Sequence, residues 1–258
     1  MTEFRRETIW NVAVQDAPLS DILDAIDAGL SKGKVGTTLF CANPHSLVVA
    51  GEDDEFLAAL RAADYLIPDG TGIVLASRLL GGRILRRVTG SDVLTALARR
   101  WDEEGGRSFF FLGSTVDVLE RMRDRMAREY PRIAVGGVHS PSFATILSRE
   151  ENALIVEKIN RAAPTALWVG MTAPKQEKWV RENLPALRVP LIAAIGAAFD
   201  YFAGSKQRAA EPLRRAGLEW LPRLVREPRR MWRRNFVSTP LFLFHILRQR
   251  FGLLPAGH

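Results

Sequence analysis

The chain has 258 residues, 47% of them hydrophobic and 25% charged, with one cysteine and a formal net charge of +7. A chain of this length closes an ordinary hydrophobic core without disulfides or a structural metal, so cysteine-stapled, zinc-folded, fibrous and disordered classes are excluded. The charge excess is confined to the end: residues 1–204 carry 24 Lys and Arg against 26 Asp and Glu, whereas residues 205–258 carry 12 against 3. A mildly acidic body with a basic, aromatic-containing tail points to a partner combining negative charge with an apolar component, or to nucleic acid. The opening residues lack a basic start, an apolar stretch and a small-residue cleavage site, which argues against secretion. The longest nearly apolar run, Val189 to Phe199, has 11 residues including Pro190 and Gly196, too few to cross a bilayer.

Taken in chain order, Ile9 to Val14 reads as a first strand, and a helix follows Pro18 to about Leu30. Thr37 to Ala42 is a second strand, feeding the Asn43-Pro44-His45 loop and a helical region over Ser46 to Ala62. Tyr65 to Ile67 is the next strand, and helical spacing resumes over Asp92 to Trp101. Strands at Ser108 to Leu112, Ile133 to Val138, Ala166 to Val169 and Leu191 to Ile195 then alternate with helices at Val116 to Glu129, Glu151 to Arg161 and Lys175 to Asn183. Several strands are continuous apolar runs, as expected when helices cover both sheet faces, which predicts a mostly parallel α/β sheet. Their carboxyl ends meet Pro68-Asp69-Gly70, Gly113-Ser114, Gly170 to Pro174 and Gly196, and that edge is where an open α/β sheet places its ligand crevice.

Residues 205–258 are set apart as a basic appendage to an α/β body over residues 1–204. On a continuous helix at about 100° per residue, Arg223, Arg226, Arg230, Arg233 and Arg234 form one stripe, and Leu221, Leu224, Val225, Met231, Trp232 and Phe236 the other side. Pro228 and Pro240 divide this stretch into two or three short amphipathic helices.

The strand-end loops hold the candidate chemistry. Asp69, in Pro68-Asp69-Gly70-Thr71-Gly72, is either a turn or cap residue or an acid–base group. Asn43 either closes a turn or presents its amide to a sugar or base, and His45 is either a helix-start residue or a group titrating near neutrality. Cys41 packs as a small hydrophobe. Arg83, Arg86 and Arg87 precede the helix start Val88 to Asp92; they are a solvated cluster or a diphosphate clamp. Pro174 begins a helix whose first turn offers Lys175 to a phosphate and Gln176 to a hydroxyl or nucleobase, with a capped, solvated turn as the other reading. Asp200 is either a cap or a hydroxyl-orienting carboxylate. The sequence has no G-x-G-x-x-G, P-loop or D-x-D motif, and His45, His139, His245 and His258 lack metal-ligand spacing. No cofactor and no metal site are therefore expected.

Ala42-Asn43-Pro44, Asp69-Gly70, Arg87-Val88-Thr89-Gly90-Ser91-Asp92, Ala173-Pro174-Lys175-Gln176-Glu177, Gly196-Ala197-Ala198-Phe199-Asp200 and the tail blocks Gly217 to Leu224 and Glu227 to Arg234 occur in that order. In these blocks, and over about residues 8 to 244, the sequence resembles the WecG/TagA/CpsF family of bacterial glycosyltransferases. That resemblance implies a Rossmann-like body and metal-independent, inverting transfer from a UDP-sugar to an isoprenoid-diphosphate-linked sugar in surface polysaccharide assembly. It also implies a tail held peripherally on the anionic cytoplasmic face of the inner membrane. On the family pattern, Asn43, Asp69, Arg87, Gln176 and Asp200 map to the pocket with Asp69 as base, and Arg223, Arg230 and Arg233 lie near the acceptor diphosphate. Cys41 stands where the family often has threonine, which removes a hydroxyl from the expected donor contacts.

Inverting transfer needs a base on the attacking hydroxyl and positive charge on the departing diphosphate. Asp69 and Arg87 with tail arginines fit those two needs. A non-catalytic protein binding an anionic ligand or nucleic acid would explain the basic tail but gives Asp69, Gln176 and Asp200 no task, so no nucleic-acid partner is expected. A homo-oligomer is compatible with the sequence.

Overall fold

In a computed structural model of the chain, residues 5–144, 146–206, 224 and 231–253 are described. The tail positions Arg223, Arg226 and Arg230 lie outside them.

The chain opens with an antiparallel hairpin, β1 (Arg6–Ile9) and β2 (Val12–Gln15), separate from the main sheet. The single strand expected over Ile9 to Val14 is thus broken by the turn Trp10-Asn11. Trp10 takes a positive φ of 58°, unusual for a bulky residue. Two contacts from the distant tail hold it there: its indole stacks on His245 at 4.1 Å, and its backbone N–H donates to Gln249 Oε1 at 2.7 Å.

After α1 (Leu19–Ser31), the chain forms β3 (Thr37–Ala42), α2 (Pro44–Ala50), α3 (Asp54–Ala62), β4 (Tyr65–Pro68), α4 (Thr71–Leu80) and α5 (Gly90–Glu104). Then come β5 (Arg107–Gly113), α6 (Val116–Glu129), β6 (Ile133–His139), α7 (Arg149–Ala162), β7 (Ala166–Gly170), α8 (Lys175–Asn183), β8 (Leu191–Ala194) and α9 (Ala198–Phe202). The helical region expected over Ser46 to Ala62 is two helices, because Gly51 closes α2 and Asp53 caps α3. Asn43, Asp53, Thr89, Thr115 and Ser148 each accept the backbone N–H three residues on, so side chains satisfy the amides at five helix starts.

The six strands β3 to β8 form one parallel sheet in the order β4-β3-β8-β7-β5-β6, a Rossmann-like α/β arrangement. Alternation along the strands divides the core in two. Phe40, Ala42, Leu167, Val169, Ile192 and Ala194 face α2, α3, α4, α7 and α8, while Leu39, Cys41, Ala166, Trp168, Leu191 and Ala193 face α1, α5, α6 and α9. The continuous apolar runs follow from this double coverage.

At the end of the chain, a π-helical stretch (Arg233–Ser238) leads into α10 (Thr239–Arg250). Phe242 and Ile246 of α10 are fully buried in the first of these cores, where the helix packs on α2 and α4. Phe242→Ala should therefore destabilise the whole chain by about 3–5 kcal/mol, the usual cost of emptying a buried phenylalanine site. Chemical denaturation followed by far-UV circular dichroism would show it as one lowered midpoint; an unchanged midpoint would contradict this packing.

Candidate functional site

The cleft originates where β3 and β8 lie side by side. The chain leaves β3 for α2 on one face of the sheet and leaves β8 for α9 on the other, so the loops part and open a crevice at the carboxyl edge. Backbone bonds draw further loops to that edge. Asp69 N–H donates to Ala42 carbonyl at 2.8 Å, and Val88 N–H donates to Pro68 carbonyl at 2.9 Å. Gly90 starts α5 directly against Ile195, where an added Cβ would sit 2.6 Å from the Ile195 side chain. Gly70, with φ 114°, turns the chain between Asp69 and α4 in a conformation that other residues rarely adopt. The result is a cleft of about 1060 Å³, at the upper end of small-molecule sites and sufficient for an extended ligand.

Asn43, Asp69, Arg87, Gln176 and Asp200 all line this one cleft, although they come from five separate segments. Asn43 caps α2, accepting Ser46 N–H through Oδ1 at 3.1 Å, so the amide nitrogen is its donor end. Of the three clustered arginines only Arg87 lines the cleft; Arg83 and Arg86 are exposed elsewhere. Asp200 pairs with Lys206 at 3.1 Å. Lys175, read either as a phosphate contact or as part of a solvated turn, lines the cleft and donates to the Ala144 carbonyl of the loop before α7. Thr89 and Asp92 form a reciprocal cap at the start of α5, which directs that helix's amino end at the cleft.

Sequence reasoning gave no role to Glu177, although it follows Gln176. It is 1% exposed, and burial raises its pKa to about 7. Its Oε1 accepts from Gln176 Nε2 at 2.8 Å, whereas Glu177 Oε2 and Gln176 Oε1 are buried without a partner among the described residues. Cys41, also lining the cleft, has its thiol pKa pushed well up, first by burial and then by Asp69, Glu177 and Asp92 around it. It is not poised as a nucleophile.

The tail reaches the same cleft through Met231, Arg234 and Asn235. Arg233 is exposed and absent from the lining, and the Trp232 and Phe236 rings meet at a tilt of 31° on the outside. The expected stripe, with both arginines opposite Met231, Trp232 and Phe236, is thus rearranged. Arg234 follows Met231 by three residues, a spacing that puts the two on one side of a helix, and both line the cleft. Ser238, at the end of the π-helical stretch, meets His45 Nδ1 at 2.8 Å. Among the described residues, no helix is long and apolar enough to cross a membrane.

The sequence matches the Glycosyl transferase WecG/TagA/CpsF family over residues 7–255, and the chain belongs to that family. It is similar to the N-acetylglucosaminyldiphosphoundecaprenol N-acetyl-beta-D-mannosaminyltransferase of Bacillus subtilis (strain 168), with 28% identity over 243 residues, covering 94% of this chain and 91% of that protein. The proteins of the same name from Bacillus spizizenii (strain ATCC 23059 / NRRL B-14472 / W23) and Staphylococcus aureus (strain MW2) are 28% and 27% identical. They match 90% and 81% of this chain, and 87% and 79% of their own lengths.

Glu177 ionises less readily in the folded chain than at its ordinary pKa of 4.5, so between about pH 4.5 and 7 the fold holds more protons than the unfolded chain. Its contribution to stability consequently falls as pH rises through that window, with a slope approaching about 1.4 kcal/mol per pH unit. Glu177→Gln should remove this decline. Thermal melts across the pH range should show the variant gaining on the parent from pH 4.5 to 7 and holding its advantage above; parallel curves would contradict the raised pKa.

Proposed function

We propose that the cleft transfers a sugar, with inversion, from a UDP-sugar to a sugar carried on undecaprenyl diphosphate, in the assembly of a surface polysaccharide. The observation that carries this reading is the convergence of Asn43, Asp69, Arg87, Gln176 and Asp200 on one strand-edge cleft that the tail also enters. Membership of a glycosyltransferase family and relatives named for transfer to a diphosphoundecaprenol acceptor support it. Those names make UDP-N-acetylmannosamine the first donor to test, beside its uronic acid and UDP-glucose.

In this mechanism Asp69 takes the proton of the acceptor hydroxyl as that oxygen attacks the anomeric carbon from the face opposite UDP. The bond from that carbon to the diphosphate oxygen breaks, and Arg87 with the amino end of α5 meets the charge left on UDP. No divalent ion is assigned to the step, since cationic side chains and helix amides supply the counter-charge. Asn43, Gln176 and Asp200 orient the donor.

Arg223, Arg230 and Arg233 serve the acceptor diphosphate and the anionic headgroups around it at the cytoplasmic face of the inner membrane. The exposed Trp232, Phe236 and Phe244 offer the apolar side of such a peripheral contact.

Asp69→Asn should keep the fold and bind UDP while turnover falls at least about 100-fold, the lower range for loss of a general base. Purified enzyme, a panel of UDP-sugars and a synthetic lipid-diphosphate acceptor would test this, with product mass and anomeric NMR as readouts. Unchanged acceptor-dependent turnover would reject Asp69 as the base.

Arg230→Ala combined with Arg233→Ala should weaken flotation with anionic vesicles and reduce transfer to a membrane-embedded acceptor more than it reduces UDP binding. Unchanged flotation and kinetics in the folded double variant would reject the tail's role.

A further inference from the structure

We propose that Glu177 is a positioning residue that fixes which end of the Gln176 amide the substrate meets. An amide is nearly symmetrical in shape but not in hydrogen bonding, so an unanchored glutamine can present either end. Gln176 is anchored: its Nε2 donates to Glu177 Oε1 at 2.8 Å, and an ionised carboxylate, which only accepts, can hold only that end. The carbonyl Oε1 of Gln176 is then turned away from Glu177, and it is buried with no partner among the described residues. The loop after β8 runs beside it, because Gly196 at φ 52° passes where an added Cβ would lie 3.5 Å from both amide heavy atoms.

A buried acceptor without a donor is costly unless a ligand completes it. The complement of a fixed carbonyl oxygen is an O–H or N–H donor. Given the reading of the cleft as a nucleotide-sugar site, on which this inference rests, that donor belongs either to the nucleotide, as a ribose hydroxyl or the uracil N–H, or to the transferred sugar. A neutral glutamine at position 177 would both donate and accept, and so would not lock Gln176. This accounts for a carboxylate at a site where burial opposes its charge.

The charged and titratable groups around Glu177 come from several elements. Cys41 lies near the end of β3, and Asp69 and Asp92 act on the same Cys41 thiol as Glu177 does. On its own helix, Lys175 is held by Ala144, and Lys178 pairs with Asp53 and Glu55 beside α3. β8 contributes no titratable side chain. His45, Arg87, Arg149, Glu182, Asp200 and Arg234 also line the cleft.

The test compares the full-length parent with Glu177→Gln, Gln176→Leu and the double variant. Readouts are kcat and KM for UDP-N-acetylmannosamine with a lipid-diphosphate acceptor, and calorimetric binding of UDP and 2′-deoxy-UDP. In Glu177→Gln, KM should rise about tenfold, the scale of one well-placed hydrogen bond, with kcat changed less than about threefold and thermal stability undiminished. The parent's KM should fall as pH rises through about 7, as the carboxylate forms, and the variant's should not. The double variant should match Gln176→Leu alone, because Glu177 acts through Gln176.

If the donor is the ribose 2′-hydroxyl, 2′-deoxy-UDP binds the parent more weakly than UDP does, and Glu177→Gln narrows that gap; if it is another group of the nucleotide, the variant weakens UDP and 2′-deoxy-UDP alike. If it belongs to the transferred sugar, the variant binds UDP as the parent does and only KM for the nucleotide sugar rises. A variant with the parent's KM and pH profile overturns the proposal. So does one that loses stability, kcat and UDP binding together, which would mark Glu177 as a packing residue. A parent that neither binds uridine nucleotides nor transfers sugar overturns the reading of the cleft and this inference with it.

Discussion

Everything at the active edge depends on the pairing of β3 with β8, which joins Thr37–Phe40 to Leu191–Ala194 across most of the body's length. Such a pairing forms only after the intervening chain has been brought together, so the site is a product of the complete sheet. Once the pair exists, the exits to α2 and α9 diverge to opposite faces, and the space between them becomes the cleft. The ties that draw in the other loops are largely backbone bonds, from Asp69 to Ala42 and from Val88 to Pro68. Side chains on those loops can therefore change without moving the edge. Gly90 is different: its lack of a side chain is what lets α5 begin against Ile195.

The sheet was legible in the sequence because its strands are covered on both faces and so appear as unbroken apolar runs. The hairpin was not. Trp10-Asn11 has no glycine to announce a two-residue turn, and the contacts that hold Trp10 come from His245 and Gln249 at the far end of the chain. The helix α4 went unassigned altogether: two glycines obscure a helix start, whereas Gly70 caps this helix and Gly72 sits inside it. Asn43, Asp69, Arg87, Gln176 and Asp200 were visible as polar residues at predicted strand or helix ends. Glu177 was quoted in the same motif but remained silent, because its burial depends on how α8 seats beneath the loop after β8. Arg233 and Arg234 were read as one stripe opposite Met231, although Arg234 stands three residues from Met231 and lines the cleft with it.

The tail is joined to the body by two different kinds of contact. Phe242 and Ile246 give α10 a share of the main core, while His45 with Ser238 and Trp10 with His245 fix its rotation. Burial supplies strength and the polar and ring contacts supply register. Arg234 and Asn235 are thereby held at the cleft while Trp232 and Phe236 face outward. A surface that meets a lipid layer and a pocket that receives a lipid-borne diphosphate would need that fixed relation, since the reacting sugar is only a short reach from its anchor.

The charge inside the cleft poses a final physical problem. Asp69, Asp92 and Glu177 gather near Cys41, yet the proposed donor carries a diphosphate. Arg87, Arg234 and the amino end of α5 offset that repulsion. Glu177 adds a subtler compensation, because with a pKa of about 7 it carries its full negative charge only above neutrality. Burial thus destabilises the ionised carboxyl and, by the same desolvation, lessens the negative charge that an arriving diphosphate must face. An ordinary, solvated glutamate at this position would hold Gln176 equally well but would oppose the donor at every physiological pH. The depth of α8 in the fold sets this balance between a lock that needs a carboxylate and a cleft that must admit an anion.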